Sequence, residues 1–221
     1  TTNNNTAVGN SALFTNVGSE NTALGATAMY SNTTGNYNTA LGRSAMVENT
    51  TGTRNIAVGN NAYNSSDTEN DNIAIGYDAM TTNTAGGTRN IAIGNYALDA
   101  LTSGDFNVAV GYNAGTTLTD TDGTTAIGDS ALGSTTTGSY NTAVGMNVLY
   151  ANTSGTNNTG VGKGSLQTNV TGANNTAIGQ DSLKVNLGSN NTAVGKDALV
   201  TNSTGSDNVA IGYEALKVGT V

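Results

Sequence analysis

The sequence predicts an all-β chain, a parallel β-roll or β-solenoid of about thirteen coils of 16–18 residues. Three observations carry this. The core Asn-Thr-Ala-(Val/Ile/Leu)-Gly, as in Asn38-Thr39-Ala40-Leu41-Gly42, returns along the whole chain. Its closing glycines are Gly9, Gly25, Gly42, Gly59, Gly76, Gly94, Gly111, Gly128, Gly145, Gly162, Gly179, Gly195 and Gly212. Self-similarity at a fixed short period means stacked structural units, each stabilised by its neighbours. Finally, only 36% of the residues are hydrophobic and 5% aromatic, which suits a thin core fed by a few residues per coil. Thirty glycines and no proline could signal disorder. A disordered tract has no reason to hold its apolar positions in register, so residues 1–221 read as one repeat domain.

Each coil contains two short apolar stretches. The first is the triplet before the closing glycine, such as Thr6-Ala7-Val8, Thr22-Ala23-Leu24, Thr39-Ala40-Leu41 or Ile73-Ala74-Ile75. Its first and third residues are mostly β-branched strand formers and share one face at period two. The second lies three and four residues past the glycine, as in Ala28-Met29, Ala45-Met46 and Ala131-Leu132, and is expected to be a second strand. Polar turns such as Asn32-Thr33-Thr34-Gly35 join the stretches, their glycine expected at positive φ. At ~4.8 Å between stacked strands, thirteen coils would stand about 60 Å tall.

The orientation of the triplet sets the expected surface. With Val8 and its equivalents, and with them Thr6, Thr22 and Thr39, pointing into the roll, the middle residues point out. These are Ala7, Ala23, Ala40, Ala57, Ala74, Ala92, Ala109, Ala126, Ala143, Gly160, Ala177, Ala193 and Ala210. A solvent-facing column would drift toward larger polar residues. Restriction to Ala and Gly therefore predicts close packing against further copies of the chain, as a homotrimer. A second column, from Asn5, Asn21 and Asn38 to Asn191 and Asn208 and broken only by Thr124, predicts stacked amides bonded from coil to coil.

Composition excludes several functions. Net charge is −8 and the seven basic residues are scattered, which disfavours nucleic acid and anionic lipid. No apolar run approaches a membrane span, so no direct membrane insertion is expected. The absence of histidine and cysteine removes His-based acid–base chemistry, Ser-His and Cys-His pairs and the usual zinc sites. Carboxylates remain for glycoside cleavage, but none form an evident pair. The expectation is no enzyme and no cofactor. Two acidic turns, Asp67–Asp71 and Asp120–Asp122, read as solvated loops. Asp120-Thr121-Asp122-Gly123 matches part of a calcium loop but lacks the closing bidentate acid, so no metal is assigned. Exposed rings are the candidate ligand contacts: Tyr37, Phe106 and Tyr140 before the core Asn, and Tyr77, Tyr112 and Tyr213 one past the glycine. Rings that merely cover a neighbouring coil are the plainer reading.

Asn72-Ile73-Ala74-Ile75-Gly76 and Asn208-Val209-Ala210-Ile211-Gly212 resemble the head repeats of bacterial trimeric autotransporter adhesins. That resemblance implies left-handed parallel β-rolls associated as trimers that bind host matrix or other surfaces. The longer unit, from Asn38-Thr39-Ala40-Leu41-Gly42 through Asn49-Thr50-Thr51-Gly52, is similar to repeats in phage and large-virus tail-fibre proteins. The coil is a few residues longer than the adhesin repeat, so its turns differ. The expected function is a structural and adhesive segment of a trimeric surface or virion fibre, extracellular, attaching to a host or surface glycan or protein. The chain opens in mid-repeat at Thr1, consistent with a segment of a longer fibre. The alternatives are a glycan-degrading tailspike and an ice- or mineral-binding solenoid. The last needs a flat exposed threonine face.

Overall fold

The computed structural model describes residues 3–83 and 86–219. The chain is all-β, a parallel β-solenoid whose coils lie about 17 residues apart, without a helix among the described residues. It divides into two compact units, Thr1–Ala109 and Val110–Val221. The first holds β1 (Thr6–Val8), β2 (Thr22–Leu24), β3 (Thr39–Leu41), β4 (Ile56–Val58), β5 (Ile73–Ile75) and β6 (Ile91–Ile93), and β7 (Val108–Val110) spans the boundary. The second holds β8 (Thr125–Ile127), β9 (Thr142–Val144), β10 (Thr159–Val161), β11 (Thr176–Ile178), β12 (Val185–Asn186), β13 (Thr192–Val194), β14 (Thr201–Asn202), β15 (Val209–Ile211) and β16 (Val218–Gly219). Pairing is parallel and in repeat register within each unit. Thr39, Ala40 and Leu41 face Ile56, Ala57 and Val58, and Thr125, Ala126 and Ile127 face Thr142, Ala143 and Val144.

The triplet alternates as expected, but in the opposite phase. Its middle residue points inward. Ala23, Ala40, Ala57, Ala74, Ala92 and Ala109 in the first unit are fully buried within a single chain. So are Ala126, Ala143, Gly160, Ala177, Ala193 and Ala210 in the second. Ala7, in the first described coil, is exposed because only one coil packs against it. The alanine column therefore forms the core of each coil and does not serve as the subunit contact. The threonines and the Val, Ile and Leu residues expected inside, among them Thr22, Thr39, Leu24 and Leu41, stand outside. Shifting a strand's phase by one residue exchanges its two faces completely. The physical reason is thickness. The interior already receives Ala45 and Met46, or Ala131 and Leu132, from the opposite side of the coil, and only Ala or Gly fits across from them.

That opposite side is not a second strand. The segment after each closing glycine is a run of turns in which the second and fourth residues are left-handed, as at Ser44 (φ 56°) and Met46 (φ 54°). This curl lets two consecutive residues, Ala45 and Met46, both point inward. Left-handed backbone costs roughly 1–2 kcal/mol per non-glycine residue. Burying a Met or Leu, worth about 1.5–3 kcal/mol, and a coil-to-coil bond such as Met46 N–H to Ala62 O at 3.0 Å offset it. A second, three-stranded sheet does form, two residues further on and, among the described residues, only in the second unit, from β12, β14 and β16.

Two glycine positions explain the repeat's punctuation. The closing Gly42 has φ 142°, and a Cβ there would lie 2.2 Å from the Gly59 carbonyl oxygen. The turn glycine Gly52 is not left-handed, contrary to expectation. It is required because a Cβ would sit 2.2 Å from Asn49 Oδ1 and 2.5 Å from the Glu69 carbonyl oxygen.

Asparagine forms two inner columns. In the anticipated one, Asn55 Oδ1 accepts from Asn72 N–H at 2.9 Å while Asn55 Nδ2 donates to Glu69 O at 2.7 Å. From Asn21 to Asn191 these amides are fully buried and tie each coil to the next, so they line the interior and not an outer surface. The second column, Asn32, Asn49, Asn83, Asn152, Asn169, Asn186 and Asn202, was not anticipated. Its amides donate from rung to rung, as in Asn49 Nδ2 to Asn32 Oδ1 at 2.6 Å and Asn186 Nδ2 to Asn169 Oδ1 at 3.1 Å. Where the next rung lacks an amide, the acceptor is orphaned. Asn49 Oδ1 faces Ser66 in the following coil and accepts no hydrogen bond from the chain.

Candidate functional site

The outward face of the triplet strands is an extended surface feature of each unit. In the first unit its two columns run Thr22, Thr39, Ile56, Ile73, Ile91 and Leu24, Leu41, Val58, Ile75, Ile93. In the second they run Thr125, Thr142, Thr159, Thr176, Thr192, Val209 and Ile127, Val144, Val161, Ile178, Val194, Ile211. One column is apolar in every rung, and its members are half-buried or exposed, with Leu41 at 43% and Ile178 at 42%.

The six candidate rings fall into two outer columns. Tyr37, Phe106 and Tyr140 each occupy the residue before the core Asn, where φ is 61°, 60° and 60°. In the first unit this column continues through Arg54, Asp71 and Arg89. The Arg54 guanidinium makes a bidentate pair with Asp71 at 2.5 and 2.9 Å, and Arg89 lies over Phe106, 5.2 Å from the ring centroid. Hydrogen bonding to Arg54 lowers the Asp71 pKa, and the same bond raises that of Arg54. Tyr140 lies across Gly123, whose Cβ would meet the ring at 3.0 Å. Tyr77 and, in the second unit, Tyr112 and Tyr213 remain exposed. Tyr77 packs edge-on against Tyr96 at 5.6 Å, and Lys196 sits 5.8 Å from the Tyr213 ring. Tyr140 and Phe106 thus pack on neighbouring coils, through Gly123 and Arg89.

The turn at 67–71 is organised by an inward carboxylate. Glu69 takes the place of the turn glycine and is 2% exposed. It accepts from the backbone N–H groups of Asp67, Thr68 and Gly86 at 2.8, 2.9 and 3.1 Å. Beside it the buried Tyr63, standing where neighbouring coils carry Met46 and Met80, reaches into the gap left by Ser66. Its hydroxyl accepts from Asn72 Nδ2 at 2.6 Å and from Asn83 Nδ2 at 3.3 Å. Burial, and then the negative charge of Glu69, pushes the Tyr63 pKa well above the usual phenol value. Sequence reading missed this cluster, although the lone Tyr in a Leu/Met column and the lone Ser in an Asn column, three residues apart, were its signal. Among the described residues no group of three or more acidic side chains is arranged to hold a metal ion.

Fold and surface together define a parallel β-solenoid repeat protein. No family model, no curated protein and no solved structure matches the chain.

Proposed function

We propose that the chain is a structural and adhesive segment of a homotrimeric fibre on a virion or cell surface, with the outward strand columns packed between copies. The observation that supports it is the unbroken apolar column on the outside of each unit. Monomeric proteins rarely expose contiguous apolar patches beyond a few hundred Å². A half-exposed Val, Ile or Leu leaves about 1 kcal/mol of burial unrealised per rung. Over six rungs this offsets a substantial part of the ~4–15 kcal/mol that association costs. The stacked coils supply length and rigidity, and turns repeated around a three-fold axis would add weak contacts through avidity.

The test is the particle mass by light scattering. A species at three times the 22.0 kDa chain is expected, and Ile75→Lys should yield a folded monomer. A stable wild-type monomer would overturn the assembly.

One observation favours a second reading, an ice-binding solenoid. Thr125, Thr142, Thr159, Thr176 and Thr192 stand in consecutive rungs on the outward face of the second unit. A thermal-hysteresis assay distinguishes it, because the fibre reading expects no activity.

A further inference from the structure

We propose that the open cavity on the first unit lined by Asn61, Asn64, Asp78 and Thr81 is a binding site for a neutral saccharide. The cavity is about 300 Å³, at the lower end of the ~300–1,000 Å³ of small-molecule sites and suited to one or two sugar rings. The proposal rests on the adhesive reading above and names its ligand class.

The lining chemistry selects the ligand. Asn61 Nδ2 donates to Asp78 Oδ1 at 3.0 Å, which orients the carboxylate and leaves Oδ2 for a ligand hydroxyl. Asn64 Nδ2 donates to Ser44 O at 3.1 Å and its Oδ1 accepts from Ser65 Oγ at 3.4 Å, which leaves one lone pair of Oδ1 to accept from a ligand, and Thr81 Oγ1 donates to Asp99 O at 3.2 Å. The site thus presents amide donors, amide and carboxylate acceptors, and a hydroxyl oxygen. A single carboxylate among neutral groups offers a hard cation too little charge. The same carboxylate repels an anion, and the polar lining disfavours an apolar ligand. A polyhydroxylated neutral molecule is the class that remains.

An aromatic flank completes the argument. Asn61, Asp78 and Tyr96 follow one another in a single column, each donating its backbone N–H to the preceding coil, at Arg43, Asn60 and Tyr77. Tyr96 therefore stands one rung past Asp78, and Tyr77, 44% exposed, meets it edge-on. The two rings stand outside the lining of the cavity, with the exposed Tyr77 next to Asp78 in the chain, where it offers an apolar surface to the C–H face of a sugar that extends past the polar groups.

The experiment is ligand-observed NMR and calorimetric titration of the whole chain with the methyl glycosides of glucose, galactose, mannose and N-acetylglucosamine. Wild type should bind at least one of them, Asp78→Ala and Asn61→Ala should weaken that binding tenfold or more, and Lys163→Ala, at an exposed position of the second unit, should leave it unchanged. Asp78→Asn, which keeps the shape of the site, should weaken it less than Asp78→Ala and guards against loss of fold, followed by thermal melting. Absence of binding to all four, or unchanged binding by Asp78→Ala and Asn61→Ala, overturns the site. Particle mass on the same samples separates the two readings. A trimer that binds no glycoside overturns the site alone, and a monomer that binds one overturns the assembly alone.

Discussion

The side chain of Val148 occupies the space that a Cβ on Gly160 would need. Such an atom would lie 2.5 Å from Val148 Cγ1 and 3.1 Å from Ser165 Oγ. Val148 stands in a column that otherwise carries Ala or Ser, and Gly160 in one that otherwise carries Ala. The extra carbons on one wall are matched by a missing carbon on the other. The pair marks the two columns as facing partners inside the coil.

Gly160→Ala should therefore destabilise the protein by about 1–3 kcal/mol through overpacking, and Val148→Ala by a similar amount through a cavity. The double variant should recover most of the loss. Denaturant melts of all four proteins measure the coupling, and strictly additive losses would refute the contact.

Opposite outcomes are expected for neighbouring residues of β9. Ala143→Gln forces a polar side chain into a filled interior and should cost about 3 kcal/mol or more. Val144→Asp lies on the outward face and should shift the stability of the single chain by about 1 kcal/mol or less while separating associated copies. Thermal melting paired with light scattering reads both.

Asn158 tests the amide column. Its Oδ1 accepts from Asn175 N–H at 2.9 Å and its Nδ2 donates to Gly172 O at 2.8 Å. Asn158→Ala should cost about 2–4 kcal/mol, since two buried partners lose their bonds. Asn158→Asp should cost more at neutral pH, because it removes the donor and buries a charge, and less at low pH, where the carboxyl is neutral. Urea titrations at the two pH values decide this.

Tyr63 should impose an alkaline limit on stability. Its pKa is raised in the folded chain, so the fold favours the neutral phenol. The stability it contributes is complete below the unfolded value near 10.0 and declines as pH rises through and above it. Tyr63→Phe should cost about 1 kcal/mol at neutral pH, because the Asn72 and Asn83 amides lose the phenol oxygen but keep the Gly87 carbonyl oxygen as acceptor, at 2.9 and 2.7 Å. It should also flatten the decline above pH 10. Melting temperatures of the two proteins between pH 8 and 11 provide the check.

By itself the sequence determined the architecture. A period of about 17 residues, a β-branched triplet and a glycine at each coil's close admit little but a stack of parallel coils, and the asparagine column was legible as a ladder because an amide both donates and accepts along it. Tertiary structure alone decided which face of the triplet is inside. Alternation in Thr-Ala-Val is the same whichever side faces the core, and side-chain size pointed the wrong way, because the inward residue meets the column of Ala45, Val148 and Ser165 at contact distance, as the Gly160 position shows. The left-handed corners were equally hidden, since Ser44 and Met46 carry no local signal for positive φ and adopt it only because the adjoining coil supplies bonds and burial. The cavity at Asn61 and Asp78 was illegible for the same reason. Its residues are separated along the chain by a whole coil and meet only when one coil is laid upon the next.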